Sequence, residues 1–161
     1  MAQLSDILLL GDARLYERCS PVEVNEVLEL EPVIEQMASL VLLFREKYGK
    51  GRAIAASQIG VMKRLVVLNI DRVVPLFNPS FEPNTSEMFE IWDDCMSFPQ
   101  LLVKVKRFRS ITFTFRDRAW KECRWLLEDD MAELMQHECD HLDGILATQR
   151  AINSLSFKML R

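Results

Sequence analysis

The stretch Gln136-His137-Glu138-Cys139-Asp140-His141 constrains this chain more than any other. It reads His-Glu-x-x-His inside a segment, Glu128 to Leu142, whose pattern predicts a helix. On a helix, positions i and i+4 share a face one turn apart. His137 and His141 can therefore turn two imidazoles toward one metal ion. Glu138 sits beside the first of them, placed to handle a proton on water at that ion. The chain has only two histidines, so a third protein ligand must be of another type. The fold has to bury this helix and bring that ligand to it.

The 161 residues are 49% hydrophobic and 27% charged, enough for one globular domain, residues 1–161, with a real core. The 20 basic and 24 acidic residues are intermixed, for a net charge of −4. No basic stripe suggests nucleic acid as a partner. Met1 to Leu10 holds only the short apolar run Ile7 to Leu10 and no basic leader, so neither a signal peptide nor a membrane span is expected. The four cysteines, Cys19, Cys95, Cys123 and Cys139, form no Cys-x-x-Cys pair. A reducing cytoplasm is the expected location.

Ile7 to Val24 reads as an ordered arm with turns at Gly11-Asp12 and Ser20-Pro21. Ile34, Met37, Val41 and Phe44 give an apolar stripe behind Pro32, and Gly49 and Gly51 close it, which predicts a helix over Glu31 to Tyr48. Arg64 to Ile70 reads as a buried strand and Val73 to Phe77 as a short one, with turns at Asn78-Pro79 and Glu82-Pro83-Asn84. Met88 to Trp92 is a further strand candidate. Leu102 to Arg107 alternates, Val103 and Val105 against Lys104 and Lys106, and Ile111 to Phe115 alternates after a short polar connection. Two such adjacent runs suggest an antiparallel hairpin, and Trp120 to Leu127 follows as a third strand. Glu128 or Asp129 opens the motif helix and Asp143-Gly144 closes it, leaving a short tail. The expected class is α+β, antiparallel sheets packed around a central helix that carries the site.

Metal-dependent hydrolysis usually takes three protein ligands and an open position. A motif extended as His-x-x-Gly-x-x-His fits Gly144 but fails at Ala147, and no acid follows Asp143 to act as a downstream ligand. A protease of the His-Glu-x-x-His type therefore lacks its usual third ligand. Among the cysteines, Cys139 lies two positions from His137, on roughly the opposite side of the helix, and is expected to be buried. Cys19 and Cys123 read as small core or surface residues. Cys95 lies between strand-like segments, in Asp93-Asp94-Cys95-Met96-Ser97-Phe98-Pro99, from which it could reach the helix. Taken alone, a single cysteine is more often a packed apolar residue.

Three stretches together resemble the peptide deformylase family. That family carries Gly-x-Gly-hydrophobic-Ala-Ala-x-Gln, then Glu-Gly-Cys-hydrophobic-Ser, then Gln-His-Glu-x-Asp-His. Here they stand as Gly51-Arg52-Ala53-Ile54-Ala55-Ala56-Ser57-Gln58, Asp93-Asp94-Cys95-Met96-Ser97 and Gln136 to His141, in the same order. The arm, with Gly11 to Leu15 and Ser20-Pro21-Val22, is similar as well, so the resemblance runs from about Leu8 to Gly144. It implies hydrolysis of the N-formyl group from the first residue of a peptide or nascent polypeptide, formylmethionine above all, with the ribosome as a candidate partner. It implies one divalent metal on Cys95, His137 and His141, Fe(II) in the cell with Zn(II) or Ni(II) as substitutes. Glu138 would move the proton, and Gln58 and the backbone N–H of Met96 would hold the oxyanion. Asp93 and Asp140 would be carboxylates orienting a histidine, or else a turn acid and a helix-surface charge.

The chain departs from that pattern in three ways. Ala53 replaces a glycine that brings backbone close to substrate. Asp93-Asp94 replaces Glu-Gly, which adds a charge next to Cys95 and disfavours any positive φ at position 94. The resemblance implies a pocket for the first side chain bounded by Arg52, Asp130, Glu133 and Leu134, three of them charged, with Ala53, Ile54 and Asp94 as further substrate-binding residues. Arg52 paired with Glu133 or Asp130 over a Leu134 floor would keep that pocket apolar. Otherwise the accepted side chain is polar or basic, because an unpaired carboxylate buried against a thioether is costly. A non-catalytic protein that binds metal or formyl-peptide on the same fold is the alternative to an enzyme.

Overall fold

In the computed structural model, which describes residues 1–161, the apolar stripe becomes one face of helix α1 (Glu31–Tyr48). Ile34, Met37, Val41 and Phe44 are all buried along it. Gly49 takes a φ of 71° and its N–H donates to the Arg45 carbonyl, which ends the helix where the sequence places its end. The second α-helix, α2 (Asp129–Leu142), starts after Glu128 and carries the His-Glu-x-x-His motif.

Eight strands complete the fold: β1 (Ala53–Ala55), β2 (Leu65–Asn69), β3 (Val73–Pro83), β4 (Met88–Asp93), β5 (Leu101–Phe108), β6 (Ser110–Arg116), β7 (Glu122–Glu128) and β8 (Phe157–Met159). A five-stranded sheet has the order β1-β2-β3-β6-β7 and a three-stranded sheet the order β4-β5-β8, and every pair is antiparallel. The class is α+β.

Strand parity separates the two helices. Ile54, Leu65 and Val67 pack with α1, whereas Ala53, Ala55, Val66 and Leu68 pack in the cluster that holds Leu134, Met135 and Cys139 of α2. The β1–β2 edge of the larger sheet thus lies between the helices. A smaller cluster joins Leu15, Cys95, Val103, Val105 and Leu146 at the other sheet.

Two sequence expectations change. Asn78-Pro79 is not a turn: β3 continues through it to Pro83, with Asn78 at φ 48° and the pairing with β6 shifting register between Phe77 and Ser80. The hairpin forms between β6 and β7, because β5 turns away to pair with β4. The short tail adds a strand, β8, which pairs with β5 at Leu101 to Val103.

The N-terminal arm ties the three motif stretches together through its backbone. Leu8 N–H donates to the Gln58 carbonyl at 2.7 Å, Leu10 N–H to the Ser97 carbonyl at 2.9 Å, and Cys19 N–H to the Leu142 carbonyl at 2.9 Å. Gly144 makes the last of these approaches feasible. Its φ is +73°, and a Cβ there would stand 2.5 Å from the Tyr16 carbonyl oxygen. Gly144→Ala is expected to lower unfolding stability by about 2–4 kcal/mol, from the left-handed backbone and the clash together. Urea denaturation reads this directly, and an unchanged midpoint would show that the arm does not dock as described.

Candidate active site

Helix α2 is buried on nearly all sides: every residue from Ala132 to Leu142 is buried. Its polar side chains therefore need partners inside the protein. Gln136 finds them in backbone, accepting from Phe108 N–H at 2.9 Å and donating to the Phe108 carbonyl at 2.8 Å. That pair fastens the helix to the end of β5. At the other end, Arg64 donates to the Leu142 carbonyl at 3.0 Å and pairs with Asp143 at 2.9 Å.

His137 and His141 face one another as the i, i+4 spacing requires, with their Nε2 atoms 3.1 Å apart. Cys95, on the loop after β4, brings its Sγ to 3.3 Å from His141 Nε2. These three buried donors lie within 4.8 Å of one another. Nitrogen and sulfur donors around a tetrahedral Zn(II)-type ion stand roughly 3.3–3.6 Å apart, from bond lengths of about 2.0–2.3 Å. The donor set fits a divalent cation in chemistry and in scale. Cys139 points away into the apolar cluster beside Met135, and burial pushes its thiol well up.

Asp93 fixes the first histidine. Its Oδ2 lies 2.7 Å from His137 Nδ1, which leaves Nε2 as the nitrogen turned to the donor cluster. Burial alone would lower the His137 pKa, but the Asp93 charge outweighs it and raises it well above the usual range. That charge also makes Nε2 a stronger donor to a cation, which replaces the proton there. His141 shows the opposite balance: burial and the neighbouring His137 charge lower its pKa.

Arg107 stands behind this pair. Its Nη2 lies 3.0 Å from Asp93, its Nη1 2.6 Å from Asp140, and its Nε 3.8 Å from Glu133. Burial opposes Asp93 ionisation, yet His137 and Arg107 together hold its carboxyl well below the carboxylate range. Asp140 does not orient a histidine and is not a surface charge. It is buried between Arg107 and Arg150, with Arg150 Nε at 2.5 Å. Arg107 was not anticipated as a site residue, although its signal was present. It has the same strand parity as Val103 and Val105, so it must face inward.

Gln58 is held by the Ala55 N–H, which donates to its Oε1 at 2.9 Å. Its Nε2 is thereby turned to Ser97 Oγ at 3.1 Å and Cys95 Sγ at 3.5 Å. The Met96 N–H donates to no backbone carbonyl. Glu138 is buried beside the donors with its Oε2 unpartnered, and burial raises its carboxyl to about 7.

These groups open on a cavity of about 220 Å³. Arg52, Ala53, Asp94, Glu133 and Leu134 line it as the sequence suggests, and Lys50, which the sequence did not single out, lines it too. Asp130 does not line it: the side chain is exposed and pairs with Arg52 at the rim. Ile54 does not line it either, because β1 turns that side chain to α1. Asp94 pairs with Lys50 at 3.6 Å, and its φ is not positive, so the acid sits there without backbone strain.

The deciding comparison is with protein families. The polypeptide deformylase family model matches residues 4–156. The chain belongs to that family. It is 36% identical over 155 residues to a peptide deformylase of Bordetella pertussis, across 89% of this chain and 85% of that protein. A peptide deformylase of Ralstonia nicotianae is 34% identical over the same shares. Among solved structures, a deformylase of Synechococcus elongatus in complex with actinonin matches with a TM-score of 0.85, over 97% of this chain and 84% of that one at 27% identity. The Thermotoga maritima deformylase gives 0.81, over 91% and 97% at 28% identity. Within the deformylase pattern, Ala53 is accommodated in the cavity wall and Asp94 by its pairing with Lys50.

Removing Arg107 leaves Asp93, Asp140 and Glu133 without their shared cation. Arg107→Ala should cost about 3–5 kcal/mol, the usual result of breaking a buried ion pair from one side. Chemical denaturation of the variant measures it; a loss under about 1 kcal/mol would mean the cluster does not hold the helix in place.

Proposed function

We propose that this chain hydrolyses the N-formyl group from the first residue of a peptide or nascent polypeptide, using one divalent metal ion held by Cys95, His137 and His141. The observation that carries this is the convergence of those three buried donors beside Glu138 and the Gln58 amide, in a chain of the deformylase family. A thiolate with two imidazoles suits Fe(II), Zn(II) or Ni(II), and the family resemblance favours Fe(II) in the cell. Four unpaired cysteines are consistent with a reducing cytoplasm, and no helix is long and apolar enough to cross a membrane.

When bound, the metal supplies a Lewis acid and makes water nucleophilic at neutral pH. Glu138 takes the proton of the attacking water and passes it to the leaving amine. A carboxyl raised to about 7 can both accept and release a proton near neutrality. The Gln58 Nε2–H and the Met96 N–H stabilise the negative oxygen of the tetrahedral intermediate. The Ala55 N–H locks the Gln58 amide in the orientation that turns its donor inward. Asp93 holds the His137 ring so that Nδ1 is never the ligating nitrogen.

Formate release from a panel of formyl-peptides tests the assignment. Glu138→Ala should lower kcat by roughly 10²–10⁴-fold with the bound metal retained. Gln58→Ala should lower it by about 10²–10³-fold. A Glu138→Ala variant as active as wild type would remove Glu138 from the reaction.

A further inference from the structure

We propose that Arg150, in the segment after α2, is a positioning residue for the metal centre: by clamping Asp140 it keeps Arg107 on Asp93, the carboxylate that orients His137. This rests on the reading of Cys95, His137 and His141 as metal ligands and deepens it.

An unbroken chain of side-chain contacts runs from the surface to the donor cluster. Arg150 ends the short helical turn Ala147–Arg150, beyond Gly144, where the motif resemblance stops. Its side chain is 43% exposed, yet it forks onto buried Asp140, with Nε 2.5 Å from Oδ2 and Nη2 2.8 Å from Oδ1. Asp140 Oδ2 also accepts from Arg107 Nη1 at 2.6 Å. Arg107 Nη2 donates to Asp93 Oδ2 at 3.0 Å, and that same oxygen lies 2.7 Å from His137 Nδ1.

The arrangement splits one buried guanidinium between two aspartates. A guanidinium facing a carboxylate favours two parallel bonds, one to each oxygen. On Asp140 the second oxygen, Oδ1, is held by Arg150, so that fork is closed to Arg107 and its Nη2 is left for Asp93. Arg150 also supplies a second positive charge, so that two buried carboxylates face two cations.

Without Arg150, Asp140 keeps Arg107 as its one cation and has an unpaired oxygen at a buried site. Arg107 can then fork onto Asp140 and withdraw from Asp93. Asp93 loses its cation while it still has to hold the His137 ring. Loss of a partner behind a ligating histidine typically costs about 10–100-fold in metal affinity. Arg150 acts one contact further out, which sets its effect at the lower end. If Arg150 only pinned the segment after α2, its removal would change stability and leave the metal centre alone.

The test compares the full chain loaded with Zn(II) or Co(II) in wild type, Arg150→Ala, Arg150→Lys and Arg150→Ala with Asp140→Asn. Zn(II) loss to excess chelator and the visible spectrum of the Co(II) form are the readouts. Arg150→Ala should lose Zn(II) about tenfold faster and shift the Co(II) bands, with native circular dichroism. Arg150→Lys keeps the charge but cannot hold both oxygens, and should also lose Zn(II) faster than wild type. An amide at position 140 offers Arg107 a single acceptor oxygen and no charge, so the double variant should return rate and spectrum toward wild type. Wild-type behaviour of either single variant, or a double variant no slower than Arg150→Ala, would overturn the inference and leave the metal ligands standing. A folded wild type that holds no ion would overturn the ligand reading, and this inference with it.

Discussion

A helix buried on nearly every side, yet carrying Glu133, Gln136, His137, Glu138, Asp140 and His141, is the constraint on which this structure depends. An amphipathic helix can turn its polar face to water, but α2 cannot. Each polar group must find a partner in the protein or stay costly. The Phe108 backbone answers Gln136, Arg107 and Arg150 answer Asp140, and Asp93 answers His137. Much of the surrounding architecture serves to deliver those partners: β5 carries Arg107 inward, and the end of β4 delivers Asp93.

Some buried polar atoms stay without a hydrogen bond, Lys50 Nζ and Arg107 Nε among them. Oε2 of Glu133, Oε2 of Glu138 and Nδ1 of His141 are buried without hydrogen bonds. The first two belong to residues that line the cavity, and the third to a residue of the donor cluster. A chain that satisfied only its own stability would pair or remove such atoms. Of the three, Glu138 Oε2 lies beside the donor cluster, where the proposed reaction needs a proton acceptor. The departures from the family pattern are absorbed at the rim, where Lys50 meets Asp94 and Arg52 meets Asp130. Cys95, His137, His141 and Glu138 are untouched by them.

Local patterns were readable from the residues, and distant partners were not. The α1 stripe and the His-Glu-x-x-His helix are set by spacing within a few turns, so their bounds came out close to those observed. Asn78-Pro79 misled because a bulge uses the same residues as a turn, and only the partner strand tells them apart. The partner of β5 was hidden for a similar reason: the alternation of Leu102 to Arg107 says which side faces in, not which strand lies alongside. Cys95 could be placed only through the resemblance of the whole motif set, since one cysteine carries little signal. Arg107 was legible by parity but is a charge, and an inward charge is recognised only when its carboxylates are known. That Arg52 pairs with Asp130, outside the cleft, and not with Glu133 could not be chosen from the sequence.

The central claim is that Cys95, His137 and His141 hold one metal ion. Elemental analysis of the purified wild type and of Cys95→Ala, each loaded with the divalent ion and desalted, tests it most directly. The account predicts one tightly held ion per wild-type chain, and its loss from a variant whose circular dichroism still shows the native fold. Equal metal in both proteins, or none in a folded wild type, would contradict it.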